Sequence, residues 1–173
     1  EALPAPRHRV AVTVSDGPGG PPLAARVRFL APDGRYLPPL GHREEVNIGL
    51  AEDSGADLAM GADTWAYVEG HFEIDLPPGP VYAEAVRGFE HRAVRARLEV
   101  APGRRELAIP LQRVVDGRAE GWVSADTHVH FLAPSTALLQ ARAEGVNMVH
   151  LLATQWGDHM TSVADLAAGP LAD

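Results

Sequence analysis

Along the first two thirds of the chain, apolar residues recur at every second position, in short runs cut off by glycine and proline. Val10, Val12 and Val14 alternate until Ser15-Asp-Gly-Pro-Gly-Gly-Pro-Pro22 ends the run. Ala25, Val27 and Phe29 form the next, closed by the turn Ala31-Pro-Asp-Gly34. Phe72, Ile74 and Leu76 repeat the pattern up to Pro77-Pro-Gly-Pro80. Further strands are predicted over Val81–Arg87, His91–Val100 and Arg105–Leu111, with Ala101-Pro-Gly-Arg104 as the last hairpin turn. A period of two puts alternate side chains on one face, so each run predicts a strand with one face in a core. Strands at this spacing predict a two-layer β-sandwich of roughly 100 residues. It should fill residues 7–115, within an accessory domain spanning 1–118.

Residues 41–64 carry no such period and are expected to form a long polar loop. Glu52, Asp53 and Asp57 within it are carboxylates that a Ca²⁺ ion could use, but their order does not fit an EF-hand, and a solvated loop is the expectation. His8, His42, His71 and His91 lie scattered among arginines and strands, and are read as surface or packing residues.

Near Gly117 the pattern changes. Val123–Phe131 reads as a strand, Ser135 as an N-cap, and Thr136–Glu144 as a helix with Leu139 and Ala143 on one face. Gly145 stands where a helix stops. Val146–Thr154 is nearly continuous in apolar residues, as in a strand buried on both faces of a parallel sheet, with His150 packed in the core or against the helix. Thr161–Ala168, closed by Gly169-Pro170, is expected to open a second helix. Strand, helix, strand predicts one βαβ unit, with a parallel pair across 122–155, so residues 119–173 read as the incomplete beginning of a β/α barrel.

The candidate chemistry sits at the ends of these two strands. In Asp126-Thr-His128-Val-His130, extended backbone places both imidazoles on one face, roughly 6–7 Å apart at the backbone. Each ring reaches a Zn²⁺-type ion at about 2.0–2.1 Å, so the two can share one metal. Asp126 has the same parity; it would either orient a histidine from outside or bind the metal itself. The second strand runs into Gln155-Trp-Gly-Asp158-His159, a further polar cluster at what would be the same sheet edge.

Composition narrows the choices. The net charge of −8 argues against nucleic acid or an anionic membrane as a partner, and no run of 18 apolar residues offers a membrane span. The basic residues are all arginine, so neither Schiff-base lysine chemistry nor a lysine-carbamate metal bridge is open to these residues. Cysteine is absent too, which removes disulfides, thiolate ligands and a cysteine nucleophile. Glu1-Ala-Leu-Pro-Ala-Pro-Arg7 lacks the charged start and apolar run of a signal peptide.

Two resemblances follow from these motifs. Phe72-Glu-Ile-Asp-Leu-Pro-Pro-Gly-Pro-Val-Tyr-Ala-Glu-Ala-Val-Arg-Gly-Phe89 resembles carboxypeptidase regulatory-like, transthyretin-type domains, which implies an accessory module on a secreted, periplasmic or surface enzyme. Ser124-Ala-Asp-Thr-His-Val-His130, the helix ending at Glu144-Gly145 and the apolar strand to Thr154 resemble the opening of a PHP-type metallohydrolase, most similar to the CehA/McbA branch. That resemblance implies a distorted β/α barrel with a divalent metal (Zn, Mn or Fe) that hydrolyses a small-molecule ester, amide or phosphoester. His128 and His130 match its first metal motif and Asp126 the acid before it. The pattern continues its second strand into Thr-Asp-His, whereas this chain reads Thr154-Gln155-Trp156. Either the ligand pair has moved to Asp158-His159 or Gln155 takes its place. Further ligands and barrel strands would come from chain beyond these residues or from a partner chain, and the 173 residues alone are expected to be inactive. The competing reading is a non-catalytic sandwich that binds a partner, with a merely structural βαβ segment.

Overall fold

The computed structural model describes residues 7–46, 53–156, 159–161 and 163. β1 (His8–Asp16) and β2 (Ala25–Leu30) come first, followed by β3 (Asp57–Met60), β4 (Asp63–Val68), β5 (His71–Leu76) and β6 (Gly79–Val86). β7 (His91–Arg92), β8 (Val94–Val100) and β9 (Glu106–Arg113) complete two sheets, ordered β5-β1-β9-β7 and β3-β4-β2-β6-β8. The alternating residues of the sequence are the core between them: Val10, Val12 and Val14 from one sheet meet Ala25, Val27 and Phe29 from the other, all essentially without exposure. Phe29 and Phe72 meet edge to face across the layers, with ring centroids 5.9 Å apart, a geometry their quadrupoles favour. As the sequence predicts, no helix falls within residues 70–112.

Three expectations need correction. Residues 41–64 are not all loop, because β3 and the start of β4 lie there. β4 escapes a period-two reading because both its faces are buried: Ala66 and Val68 enter the core, while Trp65 and Tyr67 are covered on the outer face. Arg26 and Arg28 from β2 lie over the Trp65 ring, 5.0 and 5.1 Å from its centroid. The stretch 91–100 is not one strand. It breaks at Ala93, β7 pairing with β9 in one sheet and β8 with β6 in the other. Residues 101–104 do form a turn, with Arg104 N–H donating to the Ala101 carbonyl at 3.0 Å, but not a hairpin. β9 leaves β8 to run parallel to β1, so the turn carries the chain from sheet to sheet.

The edge strand β7 brings in a buried histidine. His91 Nε2 lies 3.2 Å from Asp16 Oδ1, and Arg113 donates to Asp16 Oδ2 at 2.7 Å. Burial pushes the His91 pKa down, opposed by the Asp16 hydrogen bond and assisted by the nearby Arg113 and Arg87 charges. The folded state therefore resists a proton that the unfolded chain, near an ordinary pKa of about 6.5, accepts. Stability should fall as pH drops below that value towards the depressed folded one, by at most ~1.4 kcal/mol per pH unit. Asp16, whose pKa is lowered chiefly by its Arg113 hydrogen bond, adds its own loss only at more acid pH. Urea unfolding at pH 7, 6 and 5 should show a slope for wild type that His91→Gln flattens; equal slopes would show that His91 is not the source.

Beyond Arg113 the chain forms β10 (Ala125–Val129), α1 (Pro134–Ala143) and β11 (Met148–Leu151), the two strands pairing in parallel as expected. The helix starts one residue before the predicted N-cap. Ala133 is the cap, Pro134 occupies the first turn where its missing N–H costs nothing, and Ser135 lies inside the helix. Gly145, at φ 67, ends it as predicted. Leu139 and Ala143 do share a face, and it packs with Ala24, Tyr67, Ala56 and Leu58 on the outside of the five-stranded sheet. α1 is thus held against the sheet as well as its own strands. β11 is not buried on both faces: Met148 is 46% exposed, and His150, expected in the core or against the helix, is exposed as well. Where a loop was expected after Thr154, β12 (Thr154–Trp156) pairs antiparallel with β13 (His159–Thr161). Most of the predicted helix 161–168 lies outside the described residues. No described helix is long and apolar enough to cross a membrane.

Candidate metal centre

His128 is the next-to-last residue of β10 and His130 lies just beyond the strand's end, and their rings converge. The two Nε2 atoms are 2.9 Å apart, and the ring centroids 4.6 Å apart with planes inclined by 68°. At that distance the Nε2–H of one ring donates to the Nε2 of the other. Two nitrogens bound to one ion at about 2.0–2.1 Å stand roughly 2.9–3.4 Å apart for angles between 90 and 110°. The separation of the two nitrogens is thus that of two adjacent positions in a metal's coordination shell. His128 is exposed and His130 half-buried, so the site opens to solvent.

Asp126 is not brought into this pair. Its Oδ1 accepts the His128 backbone N–H at 3.1 Å, a local turn that stiffens the strand end. Strict alternation would put Asp126 beside the histidines, but β10 has a bulge: Asp126 pairs with Val149 and Val129 with Leu151, three steps against two. Asp126 and Val129 then both line a cleft of about 220 Å³ beneath α1. On the second strand pair, Gln155 stands opposite Met160 and His159 opposite Trp156 in the β12–β13 ladder. Asp158 lies outside the described residues. Among the described residues, no group of three or more histidines and acids converges on a common metal position.

The connection after His130 is strained and pinned. Phe131 has φ 61, a left-handed conformation that costs a non-glycine residue roughly 1–2 kcal/mol, and its ring lies 5.5 Å from that of His130. Two residues on, Ala133 N–H donates to Asp53 Oδ2 at 2.8 Å, and Thr136 Oγ1 donates to the same oxygen at 3.1 Å. Asp53, expected from sequence in a solvated loop, is the anion that holds the N-cap amide of α1 and the Thr136 hydroxyl.

At the other end of the helix, Tyr67 donates to Glu144 Oε1 at 3.0 Å and Arg26 pairs with the same oxygen at 3.3 Å. Burial, chiefly, and the Glu144 carboxylate push the Tyr67 hydroxyl above its usual pKa, keeping it a donor. No sequence signal could have named Asp53, Tyr67 or Glu144 as supports, because each acts across about eighty residues of chain.

Neither a family model, nor a curated protein, nor a solved structure matches this chain.

Proposed function

We propose that this chain carries the first ligand pair of a divalent-metal site in a hydrolase of the PHP type, similar to the CehA/McbA branch. A carboxypeptidase regulatory-like sandwich precedes it. The observation that supports the reading is the convergence of His128 and His130 Nε2 to 2.9 Å at the end of a parallel strand. When bound, a Zn, Mn or Fe ion would bring the pKa of a water towards neutrality and polarise an ester, amide or phosphoester. The chain's own task is to present two Nε2 atoms at a fixed strand end. Asp126 stiffens that end through the His128 amide, and His159, Asp158 and Gln155 are the candidates to complete the set.

Cobalt(II) titration of the full chain tests this. One Co²⁺ per chain is expected, with ligand-field absorption and paramagnetically shifted imidazole signals from two histidines. Absence of both would leave the non-catalytic binding module as the better reading.

A further inference from the structure

We infer that Asp53 is a positioning residue for the His128–His130 pair, acting from a loop before β3 through the N-terminus of α1; the inference rests on the metal reading of that pair. Both carboxylate oxygens are committed. Oδ2 holds Ala133 N–H and Thr136 Oγ1 of the helix, and Oδ1 accepts Gly55 N–H at 2.7 Å. The Gly55 carbonyl in turn accepts from Gln140 Nε2 at 3.1 Å, so residues 53–55 grip α1 at its start and again farther along.

Only Phe131 and Leu132 separate His130 from the amide that Asp53 holds. A left-handed Phe131 persists only where both of its flanks are fixed. Upstream the fixing comes from β10 and the Asp126 turn, and downstream from Asp53. The aim of the His130 ring towards His128 is thereby set by a residue that lies 80 positions away in sequence. The grip also explains how a two-stranded sheet with open faces can present its ligands in one orientation: α1 takes its position from the larger sheets.

The test uses the full chain, free of metal and with Co²⁺, and four variants: Asp53→Ala, Asp53→Asn, Thr136→Val and Glu69→Gln. Glu69 pairs with Arg142 near the far end of α1 and serves as the control for general loosening. In metal-free protein, the proton NOE between the His128 and His130 rings should fall sharply in Asp53→Ala, and Co²⁺ affinity should drop about tenfold, the scale of lost outer-shell support. Thr136→Val removes one of the two helix contacts and should move both readouts part of the way. Asp53→Asn keeps an acceptor for the helix and should retain most of both, and Glu69→Gln should retain all.

A wild-type ring NOE in Asp53→Ala and Thr136→Val would overturn the inference, as would Glu69→Gln falling as far as Asp53→Ala. If Asp53→Ala does not fold, Thr136→Val decides. A ring NOE that follows the variants in a chain that binds no Co²⁺ would uphold the positioning and sink the metal reading alone.

Discussion

With His128 and His130 both replaced by alanine, the chain is expected to bind divalent metal at least about a hundredfold more weakly. Changes outside the ligand shell alone cost 10–100-fold, and here two direct donors go. The fold should survive. His128 is exposed and His130 half-buried, and neither belongs to the core clusters. Replacing them removes the hydrogen bond between the rings, worth about 1 kcal/mol net, and the contact of the His130 ring with Phe131. Substitutions of this kind away from a core usually stay near half a kcal/mol. Equilibrium dialysis with elemental analysis would read the metal, and thermal unfolding the fold. Unchanged metal stoichiometry and affinity would show the histidines to be structural, and the hydrolase proposal would go with them. Each single variant should fall between, since one imidazole remains on the same strand end.

What could be read from sequence divides along a physical line. Strands with one apolar face announced themselves: β1, β2, β5 and β6 present alternate residues to one core, and their period of two survives in the chain. β4 did not, because its outer face is covered by α1 and by two arginines, so Asp63-Thr-Trp-Ala-Tyr-Val68 shows no polar alternate. The break at Ala93 leaves only a one-residue slip of phase, from His91 to Val94, Ala96 and Leu98, and nothing in that slip says that the two halves join different sheets. A sequence period reports which residues are buried, not which neighbour they pair with.

The same line runs through the site. The His128–His130 juxtaposition is local geometry, fixed by a spacing of two, and the rings do converge. Asp126 was placed by the same rule and is displaced from the pair by a bulge that no residue of Ala125–Val129 signals. The residue pattern points to Ser135 as the N-cap, whereas the cap is Ala133, whose amide is held from afar by Asp53. Local rules found the imidazole pair, and tertiary contacts determine how it is held.

Gly88 tests how far α1 depends on that tertiary hold. It sits between β6 and β7 at φ 42, and a Cβ built on it would stand 2.2 Å from the Glu144 carbonyl oxygen and 2.9 Å from its carbon. Both are backbone atoms, so no side-chain rotation relieves the overlap. Arg87, one residue earlier, donates to the Ala24 carbonyl at 2.9 Å and to the Arg142 carbonyl, tying the same corner to the end of the helix. Gly88→Ala should therefore push Glu144 off its partners Tyr67 and Arg26. A residue at positive φ costs about 1–2 kcal/mol when it gains a Cβ, and a broken buried contact to a charged group costs 1.5–3 more, so α1 should lose roughly 3 kcal/mol of its hold on the five-stranded sheet. The main core draws on residues up to Leu111 and not on α1, so it should stay intact. Amide hydrogen exchange separates the two: α1 should exchange about a hundredfold faster, while β1, β2 and β6 keep wild-type protection. Equal loss of protection in all four elements would mean that α1 and the sheets unfold as one unit. No loss in any would mean that the close approach of Gly88 to Glu144 does not hold the helix in place.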